Sequence, residues 1–291
     1  MRDLRIGVDG AELAGSYSQA GDTVLVALHG ASSATRDHHL FHHLHAVLPP
    51  AGIGVVTFDR RGEGASTGDP SVGQFELQAR DALAVARAVG APRMGLWGFS
   101  QGGWVAPIAA TMSNEVRFLA LIASTGVSPH EQMLYANERQ LMRAGYGPEV
   151  VARALDLRRA VHAWVLDPEP ATGDALALTL AAAQAEPWWG LTYLPPELPD
   201  ERDRSEWAAE MTFNPLAVFK RVRVPALLLY GADDGWTPVD ASVDAWRAAV
   251  GDRAEVLVLP SAAHDLTLPE GSLHPEYGDR LVEWCRRMAL A

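Results

Sequence analysis

Six short apolar runs, at residues 23–28, 54–58, 94–98, 118–123, 226–230 and 254–259, are continuous rather than alternating. Strands that read this way are expected to be buried on both faces, as inside a parallel sheet covered by helices. Helical patterns lie between several of them, for example at 74–89 and 239–250, where apolar residues recur every three or four positions. Parallel neighbours joined through helices make a doubly wound α/β sheet with right-handed crossovers. Two weaker strands, at 5–8 and 12–17, are linked by the Asp9-Gly10 turn and predict a hairpin at the start of the chain.

The alternation stops after residue 126 and resumes near Pro215. The intervening block reads helical at 131–144, 149–166 and 171–185, then turns irregular and proline-bearing over 187–199. A structureless connection of that length is rare in a compact domain, so the block predicts an inserted helical cap, or lid, over the carboxyl edge of the sheet. The expected organisation is an α/β core from residues 1–126 and 216–291 with a cap at 127–215. The cap carries 14 acidic and 7 basic side chains, more than half of the chain's net charge of -12.

That charge argues against a nucleic-acid partner, which needs a basic face. At 291 residues and 48% hydrophobic content, the chain can bury a large core without disulfides or structural metal. Cys285 is the only cysteine, which excludes an intramolecular disulfide and any CxxC metal or redox motif. No apolar run approaches the roughly 18 residues of a membrane span. The opening Met1-Arg2-Asp3-Leu4-Arg5 lacks the apolar core of a signal peptide. The expectation is a cytoplasmic protein with a small-molecule substrate and neither nucleic-acid nor membrane partner. No sequence feature assigns an oligomeric state.

The strongest local signal is Gly98-Phe99-Ser100-Gln101-Gly102, which closes the 94–98 strand and opens a helix near Gln101. A serine on a tight strand-to-helix turn is thrust outward, and glycines two positions away on each side relieve the crowding. Serine needs a base to take its proton. His264 follows the strand 254–259 and the turn Pro260-Ser261-Ala262-Ala263, at a strand's carboxyl end where functional residues of open α/β sheets gather. An acid that orients the imidazole is expected on Gly231-Ala232-Asp233-Asp234-Gly235, with Asp234 first and Asp233 second. The oxyanion formed on attack needs N–H donors. The amide of Gln101 is one, at a helix N-terminus; the other is expected after the 23–28 strand, from Ala31 or next from Ser32. His29 is read as a brace of that turn.

These pieces resemble the α/β-hydrolase superfamily over nearly the whole chain, the cap being the least similar part. The resemblance rests on Leu28-His29-Gly30, on Phe58-Asp59-Arg60-Arg61-Gly62-Glu63-Gly64-Ala65-Ser66, on the Gly98 to Gly102 elbow, on Tyr230-Gly231-Ala232-Asp233-Asp234 and on the loop from Pro260 to His264. It implies an α/β-hydrolase fold and the chain order nucleophile, acid, base: Ser100, Asp234, His264. In that family the acid usually follows a glycine by three places, which supports Asp234. Residues 59–66 correspond to a structural turn. Serine at the elbow sets the chain apart from the dehalogenase and epoxide-hydrolase branches, which place aspartate there. The stretch from Gly98 through Trp104 to Pro107 is more narrowly similar to bacterial serine esterases and serine-peptidase-like hydrolases.

Five histidines crowd residues 38–45, with helical i,i+4 spacing for His38 with His42 and for His39 with His43. Without carboxylate or thiolate ligands in the pattern this reads as a solvated or packed helix face rather than a metal site, with one histidine possible at a pocket mouth. Among nine tryptophans, Trp104, Trp188, Trp189 and Trp236 are the expected substrate contacts, while Trp97, Trp164 and Trp207 are expected in cores. No cofactor is indicated: neither a full dinucleotide fingerprint nor a phosphate loop occurs. The reading is a serine hydrolase cleaving a carboxylic ester, or a related acyl bond, of a small apolar or aromatic substrate through an acyl-enzyme. Its rivals are an amide-cleaving peptidase, an acyl-transfer or cyclising biosynthetic enzyme on the same triad, and a non-catalytic ligand-binding module.

Overall fold

In the computed structural model, all residues except Ser33, Val72 and Ala291 are described. Eight strands form one sheet: β1 (Arg2–Val8), β2 (Ala11–Ser18), β3 (Thr23–Leu28), β4 (Ile53–Phe58), β5 (Arg93–Phe99), β6 (Val116–Ile122), β7 (Ala226–Gly231) and β8 (Ala254–Leu259). Their order is β1-β2-β4-β3-β5-β6-β7-β8. β1 and β2 form the expected hairpin, with Val8 opposite Ala11, and β2 pairs antiparallel with β4. Every other pairing is parallel.

The helices are α1 (His39–Val47), α2 (Phe75–Val89), α3 (Gly102–Met112), α4 (Pro129–Arg143), α5 (Pro148–Leu166), α6 (Pro170–Ala183), α7 (Glu201–Met211), α8 (Pro215–Phe219), α9 (Val239–Val250) and α10 (Pro275–Leu290). The strands β3, β4 and β7 are buried at every position, as continuous apolar runs require. β8 departs from the expectation. It is the edge of the sheet, and Val258 is 42% exposed. Its valines and leucines are indistinguishable in sequence from those of a central strand, because only the strand order says which run lacks a second neighbour.

The chain divides into two compact units. The first comprises Met1–Gly126, Pro215–Asp234 and Val239–Ala291, and holds the sheet. One of its cores joins Leu25, Ala27, Trp97, Phe118 and Leu229 of the strands to Phe41 of α1 and to Tyr277, Leu281 and Trp284 of α10. Trp97 is fully buried there, as expected, and its indole N–H donates to the Tyr277 hydroxyl at 3.2 Å. The second unit comprises Val127–Asn214 together with Gly235–Pro238. Its helices α4 to α7 enclose a separate core around Leu141, Val161, Val165, Leu180 and Trp188, with Trp164 and Trp207 half-buried against it. The capping box of α4, in which Ser128 and Glu131 satisfy each other's backbone amides, marks where the chain enters this unit. The four residues after Asp234 belong with these helices and not with the sheet, unlike the contiguous boundary expected from sequence.

Candidate active site

The elbow is built by crowding that only small residues tolerate. Ser100 sits at the end of β5 with φ of 52°, a left-handed conformation that costs energy for a residue with a side chain. A Cβ on Gly98 would lie 2.2 Å from the Gly102 carbonyl oxygen, and one on Gly102 would lie 2.7 Å from the Leu28 carbonyl oxygen. Both positions therefore have to be glycine. The backbone of Ser100 is held by its N–H donating to Ile122 of β6 at 2.9 Å, and by its carbonyl accepting from the Gly103 amide at 2.8 Å.

The acid and base come together through another glycine. At Gly231, the last residue of β7, a Cβ would fall 2.2 Å from the carbonyl oxygens of both Ala262 and Ala263. Its absence lets the loop after β8 lie against the loop after β7. The Asp233 N–H then donates to the Ala262 carbonyl at 2.9 Å. The result is that His264 Nδ1 stands 2.8 and 3.0 Å from the two carboxylate oxygens of Asp234. An ionised carboxylate only accepts, so Nδ1 carries the proton and Nε2 presents a lone pair. The Asp234 side chain is fully buried and that of His264 is 19% exposed. Asp233 is exposed, which leaves Asp234 as the partner of the imidazole. The His264 ring lies 5.1 Å from that of Phe99, the residue preceding Ser100.

The turn after β3 also reaches the elbow. A Cβ on Gly30 would stand 3.1 Å from the Phe99 ring and 3.6 Å from Ser100 Cβ, so the backbone of Gly30 approaches the elbow closely. His29 braces this turn as expected. It is buried, donates from Nε2 to the Phe58 carbonyl at 2.5 Å, and is kept neutral by burial, which lowers its pKa to about 3. Residues 59–66 form a densely hydrogen-bonded turn after β4. Asp59 accepts from the Arg36 and Ala65 amides at 2.8 and 2.9 Å, and Arg61 makes a buried bidentate pair with Asp81 at 2.7 and 3.0 Å.

The histidines at 38–45 scatter to separate partners instead of converging. His38 caps α1, His39 pairs with Asp265 at 3.2 Å, His42 with Asp37 at 2.9 Å, and His45 bonds Ser18 and Thr57. His43 stacks on Tyr277. Burial lowers the pKa of His38 and His45 to about 4. Among the described residues no cluster of three or more histidine, cysteine or carboxylate side chains could hold a metal ion. None of their helices is long and apolar enough to cross a membrane.

The four tryptophans expected at the substrate occupy different settings. Trp104 is buried in the sheet unit beside Phe75, its indole N–H donating to the Thr125 carbonyl at 2.6 Å. Trp188 is 3% exposed inside the helical core. Trp189 and Trp236 are half-buried, and Trp236 stands 5.0 Å from the ring of Tyr193 in the helical unit. A buried network at the end of β6 has no signature in the sequence. There the Tyr230 hydroxyl donates to the Ser124 carbonyl, and Trp246 donates to the Ser124 hydroxyl. Its members are far apart in the chain and of ordinary core types.

The chain belongs to the alpha/beta hydrolase family, whose model matches residues 25–283. No curated protein sequence matches it significantly. Solved structures similar to it include the proline iminopeptidase of Mycobacterium smegmatis, at 19% identity and a TM-score of 0.66, with 99% of each chain covered. An esterase of Pyrococcus furiosus aligns at 18% identity and a TM-score of 0.66, covering 98% of this chain and 90% of the other. A thermophilic esterase from Thermogutta terrifontis aligns at 18% identity and a TM-score of 0.61, covering 99% of both.

Proposed function

We propose that this protein is a serine hydrolase of carboxylic esters, with Ser100 as nucleophile, His264 as base and Asp234 as the acid that orients it. The observation that carries the reading is the pair of short contacts from His264 Nδ1 to the buried Asp234 carboxylate, in a chain whose elbow serine is held at positive φ. In the proposed reaction His264 Nε2 takes the Ser100 proton as Oγ attacks the ester carbonyl. The amides of Gln101 and Ala31 stabilise the oxyanion, and the imidazolium gives its proton to the leaving alkoxide. Water, deprotonated by the same nitrogen, then releases the acyl group. We assign the half-buried faces of Trp189 and Trp236 to an apolar or aromatic substrate, whereas Trp104 and Trp188 are buried each in its own unit's core.

Cleavage of an amide from a free amino terminus would need a carboxylate to receive the ammonium group. Two acidic residues of the helical unit, Glu131 and Glu210, are poorly suited to that, while Glu138 is exposed. Glu131 is committed to the Ser128 capping box, and burial pushes the Glu210 carboxyl up, toward its neutral form. We take an ester as the substrate and an amide as the alternative that the test separates. A fluorophosphonate probe should add once, at Ser100, and a short-chain aryl ester should be turned over in clear preference to an aminoacyl anilide. Labelling at Ser100 with the anilide as the better substrate would make the enzyme a peptidase. No label at Ser100 would sink the nucleophile assignment.

The pH profile has a definite sign. Protonated His264 cannot accept the serine proton, so kcat/KM should fall as pH is lowered through a single ionisation and reach a plateau above it. His29, held at about 3, and His38 and His45, held at about 4, are already neutral above pH 5 and add no further step there. A rate that did not fall at any acidic pH at which the protein stays folded would rule out a histidine base.

A further inference from the structure

Two adjacent arginines follow β4, and they are treated differently by the fold. Arg61 has its carboxylate, Asp81. Arg60 is as deeply buried, 3% exposed, yet among the described residues no carboxylate hydrogen-bonds to it. Its guanidinium donates instead to neutral oxygens: Nη1 to the Gly30 carbonyl at 3.2 Å and to Gln101 Oε1 at 3.4 Å, and Nη2 to the Ala31 carbonyl at 3.0 Å. Nε has no partner among the described residues. Burying a cation on such terms is expensive, and burial indeed lowers the Arg60 pKa, with Glu63 opposing only from a distance. An arginine kept there at that cost invites the question of what its three acceptors have in common.

They are the two segments that carry the oxyanion donors. We propose that Arg60 is a positioning residue that presets the oxyanion hole, joining the turn after β3 to the elbow through one planar guanidinium. The inference rests on the Ser100, His264 and Asp234 reading above. In a trans peptide the C=O and the N–H of the same unit point in opposite directions, and the chain contains no cis bond among its described residues. Fixing the Gly30 carbonyl on Arg60 therefore fixes the Ala31 N–H on the opposite face of the turn. Fixing the Ala31 carbonyl does the same for the Ser32 N–H, the alternative donor. The contact with Gln101 Oε1 anchors the side chain of the residue whose own amide is the second donor. Gln78 Nε2 also reaches that oxygen, at 3.4 Å, so the Gln101 side chain is held from two directions. Donors directed before the substrate arrives need not reorganise when the oxyanion forms, which is where such groups gain their effect. A lysine could not replace the fork, since one ammonium cannot serve three acceptors in a plane.

The test compares wild type with Arg60→Met and Arg60→Lys. It measures kcat and KM for a short-chain aryl ester per active site titrated to completion with a fluorophosphonate, alongside the melting temperature. The expected result for Arg60→Met is a kcat per titrated site lower by roughly a hundredfold, the scale of a misplaced catalytic group, with KM within about twofold of wild type. Arg60→Lys should fold and still lose about tenfold or more in kcat. Millimolar guanidinium should restore part of the activity of Arg60→Ala. A Met variant with fewer titratable sites but full kcat per site would overturn the proposal, because Arg60 would then only hold the fold together. If the Met variant does not fold, an unchanged kcat in Arg60→Lys overturns it equally. Failure of wild type to label at Ser100 would instead remove the functional reading on which the inference stands.

Discussion

Replacing Ser100 with alanine should abolish fluorophosphonate labelling and lower ester kcat by about 10⁵–10⁶-fold, with KM little changed. The size follows from the role. Without Oγ no acyl-enzyme forms, and His264 has no positioned proton to take. The activity left over belongs to the oxyanion donors and to binding, which still favour direct attack by water and commonly retain about 10³–10⁴-fold over the uncatalysed reaction. Folding should not suffer, because Ser100 is held by its backbone bonds to Ile122 and Gly103 and not by its hydroxyl. Alanine keeps the Cβ and meets the same positive φ. Steady-state kinetics with intact mass after labelling would check this, and near-normal turnover in the variant would refute the mechanism.

The second large effect is expected from Asp234→Asn, which should lower kcat by about 10⁴-fold while leaving the structure intact. The substitution is nearly isosteric in a fully buried site, so the distances of 2.8 and 3.0 Å to His264 are kept. What changes is the sense of the hydrogen bond. An asparagine that offers its N–H₂ makes Nδ1 the acceptor, moves the imidazole proton to Nε2, and leaves no lone pair to receive the serine proton. The buried negative charge that stabilised the imidazolium is also gone. Stability measured by denaturant should be nearly unchanged. The two variants are diagnostic together: Asp234→Asn should still label at Ser100, only far more slowly, whereas Ser100→Ala should never label. An Asp233→Asn control should remain close to wild type, since Asp233 is exposed and contributes its backbone N–H to the loop.

Much of the fold was legible because burial on two faces leaves an unbroken apolar run, as in β3 through β7, and the sixth such run is β8, only partly buried at the edge. The hairpin was readable from Asp9-Gly10. Helix α7 was not, because its sequence is polar and only Met211 is buried, so it has almost no periodicity to read. Helix α10 went unnamed for a different reason. Its start is marked by Pro275 and its apolar stripe is Tyr277, Leu281, Trp284 and Cys285, but the strand and elbow pattern that organises the rest of the chain does not call for it. Of the proposed site, Ser100, Asp234 and His264 each follow a strand end, and the first two lie beside glycines whose missing Cβ the packing requires. The tryptophans were sorted only in part: Trp97 is core as expected, but Trp104 and Trp188, expected at the substrate, are buried, since an indole looks the same in sequence whether it fills a core or keeps a face half-open like Trp236.

The sequence by itself determined where the chain turns, which face of each element is apolar, and which residue types stand at the ends of β5, β7 and β8. Those properties depend on near neighbours in the chain, where spacing and glycine content translate directly into sterics. The tertiary structure alone decided that β8 is an edge, that the histidines at 38–45 disperse, and that Arg60 rather than Arg61 grips the turn after β3. Each of these is a contact between segments tens of residues apart. Their energies arise from burial and from hydrogen-bond direction, which no local pattern of residues encodes.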